Sequence, residues 1–204
     1  MMCRMEHRRP PAINLWRSAD HAREYLAKAD AIPHRTEGES VLLECLPERL
    51  LRVLDLGSGD GRLLHLVKLA RPHTRAVAVD FSDTMLERLG ARFTSDPMVE
   101  IAAHDLEAAL PDFGGPFDAI VSSFAIHHLA HARKRSLYRE IFELLTADGV
   151  FSWTVIGNGA NSRCSLEQGP EGDRRISGGG RGSSVRRPNP LDTVLTEPRS
   201  REPA

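Results

Sequence analysis

A short apolar run that ends in glycine at every second position leaves a chain few ways to fold. Residues 53–64, VLDLGSGDGRLL, are such a stretch. The run Val53–Leu56 reads as a buried strand interrupted by one acid, Asp55. Gly57, Gly59 and Gly61 strip the following turn of side chains, and helical spacing resumes from Arg62. A strand that enters a helix through bare backbone presents N–H groups to a ligand. The dinucleotide fingerprint G-x-G-x-x-G fails here: counted from Gly57 it meets Arg62, and counted from Gly59 it meets Leu64.

The flanking sequence alternates between the two regular periods. Apolar positions at helical spacing fill 15–32 and 38–50, with "PHRT" between them. After the strand 51–56 comes a helix that Arg71-Pro72 stops, then a second strand, "RAVAVD". Ser82 is placed to cap "DTMLERLGARF", in which Met85, Leu86, Leu89 and Phe93 share a face. "VEIAAHD", "FDAIVSS" and "GVFSWTV" read as third, fourth and fifth strands, with the helix "KRSLYREIFELL" before the last. Buried strands alternating with helices predict a parallel sheet covered on both faces. Asp80 ends the second strand at the carboxyl edge, where open α/β sheets bind ligands. A carboxylate there suits the two hydroxyls of a ribose, a device shared by several nucleoside cofactors.

With these elements in place, "VLDLGSGDG" resembles the first motif of the class I S-adenosylmethionine-dependent methyltransferases. The resemblance covers roughly 35–155 and implies an α/β, Rossmann-like, doubly wound sheet of strand order 3-2-1-4-5. It implies S-adenosylmethionine as cofactor, its amino-acid end against Gly57, Ser58, Gly59 and Gly61, with Asp55 receiving its ammonium. A carboxylate beside an ammonium is the physical logic of that placement. The same resemblance puts Asp105 at the adenine amino group, the Leu106 backbone at a ring nitrogen, Phe81 beside the adenosine and Ser122, with Ser123, beneath the methyl group. Arg35, just ahead of the core, is expected to pair with the methionyl carboxylate in fork geometry, with Trp16 and Tyr25 closing a lid.

The catalytic residue is not fixed by the sequence. His127 and His128 of "HHLAH" are candidates for a pocket-lip base. His127 and His131 share a face only if the segment is helical, and a zinc protease would need glutamate where His128 stands, so no metal is expected. Methyl transfer from a sulfonium is an in-line displacement with a good leaving group, so alignment in a dry pocket matters more than a dyad. "SSFAI" stands where the N/D-P-P-Y motif of amino-methylating nucleic-acid enzymes would follow the fourth strand, and no Pro-Cys nucleophile follows it. A net charge of -1 without a basic, aromatic-interleaved face gives nucleic acid no purchase, so a small-molecule acceptor is the expectation. Two other readings stay open: a cofactor-binding remnant without a working substrate pocket, which turnover would separate, and an NAD-linked oxidoreductase, which cofactor titration would separate.

Three cysteines without metal spacing, no secretory h-region and no apolar run of membrane-spanning length predict a reduced, cytoplasmic protein. The expected layout is a flexible 1–12, lid helices over 13–50, a cofactor core over 51–156 and a disordered tail over 157–204. The tail is rich in Gly, Ser, Arg and Pro and lacks either apolar period. It leaves no pattern for a sixth and seventh strand, so the fifth is expected to be a bare edge, and the break reads as a truncated or frame-shifted gene.

Overall fold

The computed structural model describes residues 15–33, 35–155, 162–168 and 174–177. Its five parallel strands are β1 (Arg52–Leu56), β2 (Arg75–Asp80), β3 (Val99–Ala103), β4 (Phe117–Ser123) and β5 (Leu145–Val155), in the order β3-β2-β1-β4-β5. The helices are α1 (Ala19–Lys28), α2 (Arg35–Glu44), α3 (Arg62–Ala70), α4 (Asp83–Phe93) and α5 (His131–Leu144). The doubly wound order expected from the sequence is therefore the order found.

Alternation along the central strands sorts their side chains into two cores. Val53, Ala76, Ala78, Ala119 and Val121 face one way, onto Leu42, Leu64, Val67 and Leu89 of α2, α3 and α4. Leu54, Leu56, Val77, Val79 and Ile120 face the other way, onto Leu137 and Ile141 of α5. Burial on both faces is why these strands read as continuous apolar runs.

Several boundaries differ from the sequence expectation. Ser18, extended at φ -84 and ψ 121, breaks the first helix: its hydroxyl accepts from the His21 N–H at 3.4 Å, and Leu15–Arg17 ahead of it is a 3-10 turn. Ser82 does precede α4, but its side chain makes no capping bond; Asp80 Oδ1 instead accepts from the Ser82 N–H at 2.9 Å. Arg35 belongs to α2 rather than to the loop before it.

The expected absence of strands after the fifth is corrected. β6 (Ser162–Gln168) runs antiparallel to β5, from Val150 opposite Glu167 to Val155 opposite Ser162, and β7 (Arg174–Ser177) pairs antiparallel with β6. The physical reason is the open ladder of β5: an edge strand offers a row of unpaired N–H and C=O groups, and backbone pairing satisfies them whatever the side chains. The expectations for 1–12, for the rest of 157–204 and for a shifted reading frame lie outside the described residues. Among the described residues no helix is long and apolar enough to cross a membrane.

Candidate functional site

The turn after β1 is folded onto the end of β2. The N–H groups of Gly57 and Ser58 both donate to the Val79 carbonyl, at 2.8 and 2.9 Å. The Ser58 hydroxyl donates to the Asp55 carbonyl at 2.8 Å and accepts from the Val79 N–H at 2.9 Å, so it is spent inside the turn. Gly57 has φ +69, and a Cβ there would lie 2.2 Å from Ala125 Cβ. Left-handed backbone costs a non-glycine residue about 1–2 kcal/mol, and overpacking costs about 1–3 kcal/mol more. Gly57→Ala is accordingly expected to lower stability by about 2–4 kcal/mol, checked by denaturant unfolding.

Above this turn, at the carboxyl edge of the sheet, opens a cavity of about 850 Å³ lined by Asp55, Gly57, Ser58, Gly59, Asp80, Phe81, Asp105 and Leu106 among others. Eight expected cofactor contacts thus meet in one place, and Arg35 joins them. Gly61 and Ser122 do not line it. Gly61 sits at the N-cap of α3, where a Cβ would lie 2.5 Å from Leu89 Cδ1, so its lack of side chain serves helix packing. Ser122 is 1% exposed and donates to the Leu56 carbonyl at 2.7 Å on the far face; Ser123 lines the cavity instead and bonds Thr154 Oγ1 at 3.0 Å.

Asp55 is the anomaly of the site. It is 1% exposed, and among the described residues neither carboxylate oxygen has a hydrogen-bond partner. Burial pushes its pKa up to about 7; the neighbouring Ser58 hydroxyl works against the rise, and the Asp80 and Asp60 carboxylates add to it. Buried polar atoms are nearly always satisfied, so an orphan pair aimed into a cavity asks for a donor from outside. Asp80 is satisfied in part: Oδ2 accepts from the Gly59 N–H and Oδ1 from the Ser82 N–H, both at 2.9 Å. Burial raises its pKa as well.

Three residues here escaped the sequence reading. Arg17 binds Asp105 Oδ2 at 2.7 Å and lies 5.3 Å from the centre of the Phe81 ring, so the acid expected at the nucleobase has a partner within the protein. Glu39, 1% exposed, holds Arg35 Nε at 2.9 Å and Arg62 Nε at 3.0 Å. Arg35 also donates through Nη1 to the Ala29 carbonyl at 3.2 Å. Phe124, at the mouth of β4, adopts φ +56 and lies 5.7 Å from the Arg35 guanidinium. Only Glu39 left a signal: it stands four residues after Arg35 on a helix, the spacing of an ion pair.

The histidines separate. Ile126–His128 is a 3-10 turn and His131 opens α5, so His127 and His131 do not share a helix face. His128 lines the cavity and contacts the Trp16 ring at 5.5 Å; the His127 ring lies 3.8 Å from that of His128, tilted by 39°, and stays outside the lining. Partial burial, with the neighbouring histidine, depresses the pKa of His127; burial and His21 do the same for His128. Trp16 and Tyr25 do line the cavity, edge to face at 5.0 Å. Among the described residues no three His, Cys, Asp or Glu side chains converge as a metal site would.

Residues 53–149, from the start of β1 into β5, match the methyltransferase domain family. Over that span the chain is similar to methyltransferase domains. Relatives of this domain include an uncharacterised methyltransferase of Mycobacterium tuberculosis, 41% identical over 81 residues, which are 40% of this chain and 39% of that one. A demethylmenaquinone methyltransferase of Thermotoga maritima is 31% identical over 109 residues, 53% of this chain and 44% of the other. The chain thus spans well under half the length of these curated relatives. Among solved structures, an O-methyltransferase family protein from Burkholderia thailandensis superposes with TM-score 0.57 at 20% identity, over 71% of this chain and 44% of that one. An N-methyltransferase from Bradyrhizobium japonicum in complex with S-adenosyl-L-homocysteine gives 0.56 at 19%, over 66% and 70%. At such identities the likeness concerns the fold alone; the glycine turn lies inside residues 53–149, whereas Trp16, Arg17, Tyr25 and Arg35 of the cavity wall lie before them.

Proposed function

We propose that this chain binds S-adenosylmethionine in the cavity above β1 and β2 and transfers its methyl group to a small molecule. The observation that carries the reading is the Asp55 carboxylate, 1% exposed and without a donor among the described residues, beside a glycine turn. An ammonium is the partner that such a group fits, because a charge-assisted bond repays the desolvation. Asp80 keeps a lone pair on each oxygen beyond its two backbone bonds, enough for two ribose hydroxyls. Phe81, Asp105 and Leu106 close the nucleobase end, where a bound base would meet Arg17 on Asp105. Gly57, Ser58 and Gly59, whose N–H groups are spent on the Val79 carbonyl and Asp80, bring bare backbone against the amino-acid end, and Arg35 lines the cavity with them.

The bound cofactor would supply an electrophilic methyl on a sulfonium. What the chain adds is alignment, a dry wall and a proton acceptor. About 850 Å³ lies toward the upper end of small-molecule sites, roughly 300–1,000 Å³, so an acceptor fits beside the cofactor. Trp16, Tyr25, Phe124 and His128 line the part of the cavity reached from the lid. His128, held neutral by its depressed pKa, is the residue to take a proton from an acceptor that carries one.

Calorimetric titration with S-adenosyl-L-homocysteine tests the reading, with NADH as competitor. Gly59 has φ +57, and a Cβ there would approach only Met85 Sδ, at 4.0 Å, so a long side chain has the cavity to enter. Wild type should bind, indifferent to NADH, and Gly59→Arg should lose at least about tenfold in affinity while remaining folded by circular dichroism. A folded wild type that fails to bind, or that NADH competes out, overturns the proposal.

A further inference from the structure

The link from β3 to β4, residues 104–116, contains neither helix nor strand, yet it brings His104, Asp105 and Leu106 to the cavity wall. Backbone outside regular structure must find its hydrogen bonds elsewhere. Three of these groups find them on α5. Arg133 Nε donates to the Leu106 carbonyl and Nη2 to the Ala108 carbonyl, each at 2.6 Å. Glu140 Oε2 accepts from the Leu110 N–H at 2.9 Å. The two side chains are themselves joined fork to fork, Nη1 to Oε1 at 2.7 Å and Nη2 to Oε2 at 2.8 Å, and Ser136 Oγ accepts a further bond from Nη1 at 2.8 Å.

Residues 133 and 140 stand seven apart, two turns along one helix face, so a single stripe of α5 grips alternate residues of the link. The Arg133 side chain is only 9% exposed, which spares the fork most of its competition with water. Leu106 is 7% exposed and packs in the same apolar cluster as Leu137 and Ile141 of α5, so apolar contact and hydrogen bonds fix the peptide together. Asp105, one residue earlier, is held at both oxygens, by the Glu107 N–H at 3.1 Å and by Arg17.

Resting on the cofactor reading above, we propose that Arg133 is a positioning residue for nucleobase recognition. Paired with Glu140, it fixes the Leu106–Leu110 backbone so that Asp105 and the Leu106 peptide meet the edge of the base in one geometry. It touches neither cofactor nor acceptor. Lysine does not replace it, because it lacks the planar fork by which Arg133 meets the Leu106 and Ala108 carbonyls from separate nitrogens while pairing both oxygens of Glu140.

The test compares affinity for S-adenosyl-L-homocysteine with that for S-inosyl-L-homocysteine, whose base carries a carbonyl in place of the amino group. Wild type, Arg133→Met, Arg133→Lys and Glu140→Gln are titrated by calorimetry. Wild type is expected to prefer the adenine ligand, and both Arg133 variants to lose at least about tenfold of that preference. Glu140→Gln keeps an acceptor for Leu110 and Arg133, so it should lose less and serves if the others fail to fold. A merely structural Arg133 would weaken both ligands alike and leave their ratio unchanged; that result overturns the proposal, as does a wild type that binds both equally. A wild type that binds neither ligand instead removes the cofactor reading on which the proposal rests.

Discussion

Replacing Asp55 by Asn should raise the melting temperature of the ligand-free chain at pH 8 and cost about a hundredfold in affinity for S-adenosyl-L-homocysteine. Both effects come from one fact, a carboxylate 1% exposed without a donor. The folded pKa is raised to about 7 from 3.8. Below about pH 4 the group is protonated in both states and adds no pH dependence. Between about 4 and 7 the unfolded chain releases the proton while the folded chain keeps it, so stability falls as pH rises; above 7 the full penalty is present. At about 1.4 kcal/mol per pK unit the penalty reaches roughly 4 kcal/mol. Asparagine escapes it but leaves an unpaired amide worth about 1–3 kcal/mol, so the net gain is about 2 kcal/mol, or roughly 4–8 °C. Melts from pH 4 to 8 check the sign: the variant curve should be flatter, with a residual slope from Asp80, whose pKa burial also raises. A variant less stable than wild type at pH 8 would mean that Asp55 has a partner within the fold. The affinity loss follows from removing the charge that an ammonium would meet, for which about 2–5 kcal/mol is usual.

How much of this site was legible in the chain depended on whether the signal was local. Asp55, Asp80 and Asp105 are each read from one fact, an acid near the carboxyl end of an apolar run, and all three reach the cavity. The same rule failed by one residue on β4. Ser122 alternates with Ile120, toward α5, whereas Ser123 alternates with Val121 and shares its face with Val53 and Asp55. Strict period-two counting from the core would have chosen Ser123. Arg17 and Arg133 had no such signal, since their partners lie 88 and 25 to 27 residues away. β6 and β7 join the sheet by backbone pairing, which "SRCSLEQ" and "RRIS" do not announce. Local pattern locates strand ends; it does not locate a side chain that crosses the molecule to hold a loop.

Glu39→Ala should be the most damaging single change in α2. Glu39 is 1% exposed and is the carboxylate against which both Arg35 and Arg62 rest. Arg35 is 7% exposed, and without Glu39 its charge keeps, among the described residues, the Ala29 carbonyl at 3.2 Å, the Tyr25 hydroxyl at 3.4 Å and the Phe124 ring at 5.7 Å, none of them a carboxylate. Stranding a buried charge costs about 3–5 kcal/mol, so the melting temperature should fall by roughly 10 °C or more. Arg62, with a side chain 30% exposed, can turn to water and contributes less. The double variant Arg35→Met/Glu39→Leu removes both charges and should recover most of the loss, because apolar replacement of a buried pair is often neutral. That recovery separates two jobs. If the double variant melts like wild type but binds S-adenosyl-L-homocysteine at least tenfold more weakly, Arg35 serves the ligand as well as the fold. If it binds like wild type, the buried pair is scaffolding, and recognition of the amino-acid end falls to Asp55 and the glycine turn alone.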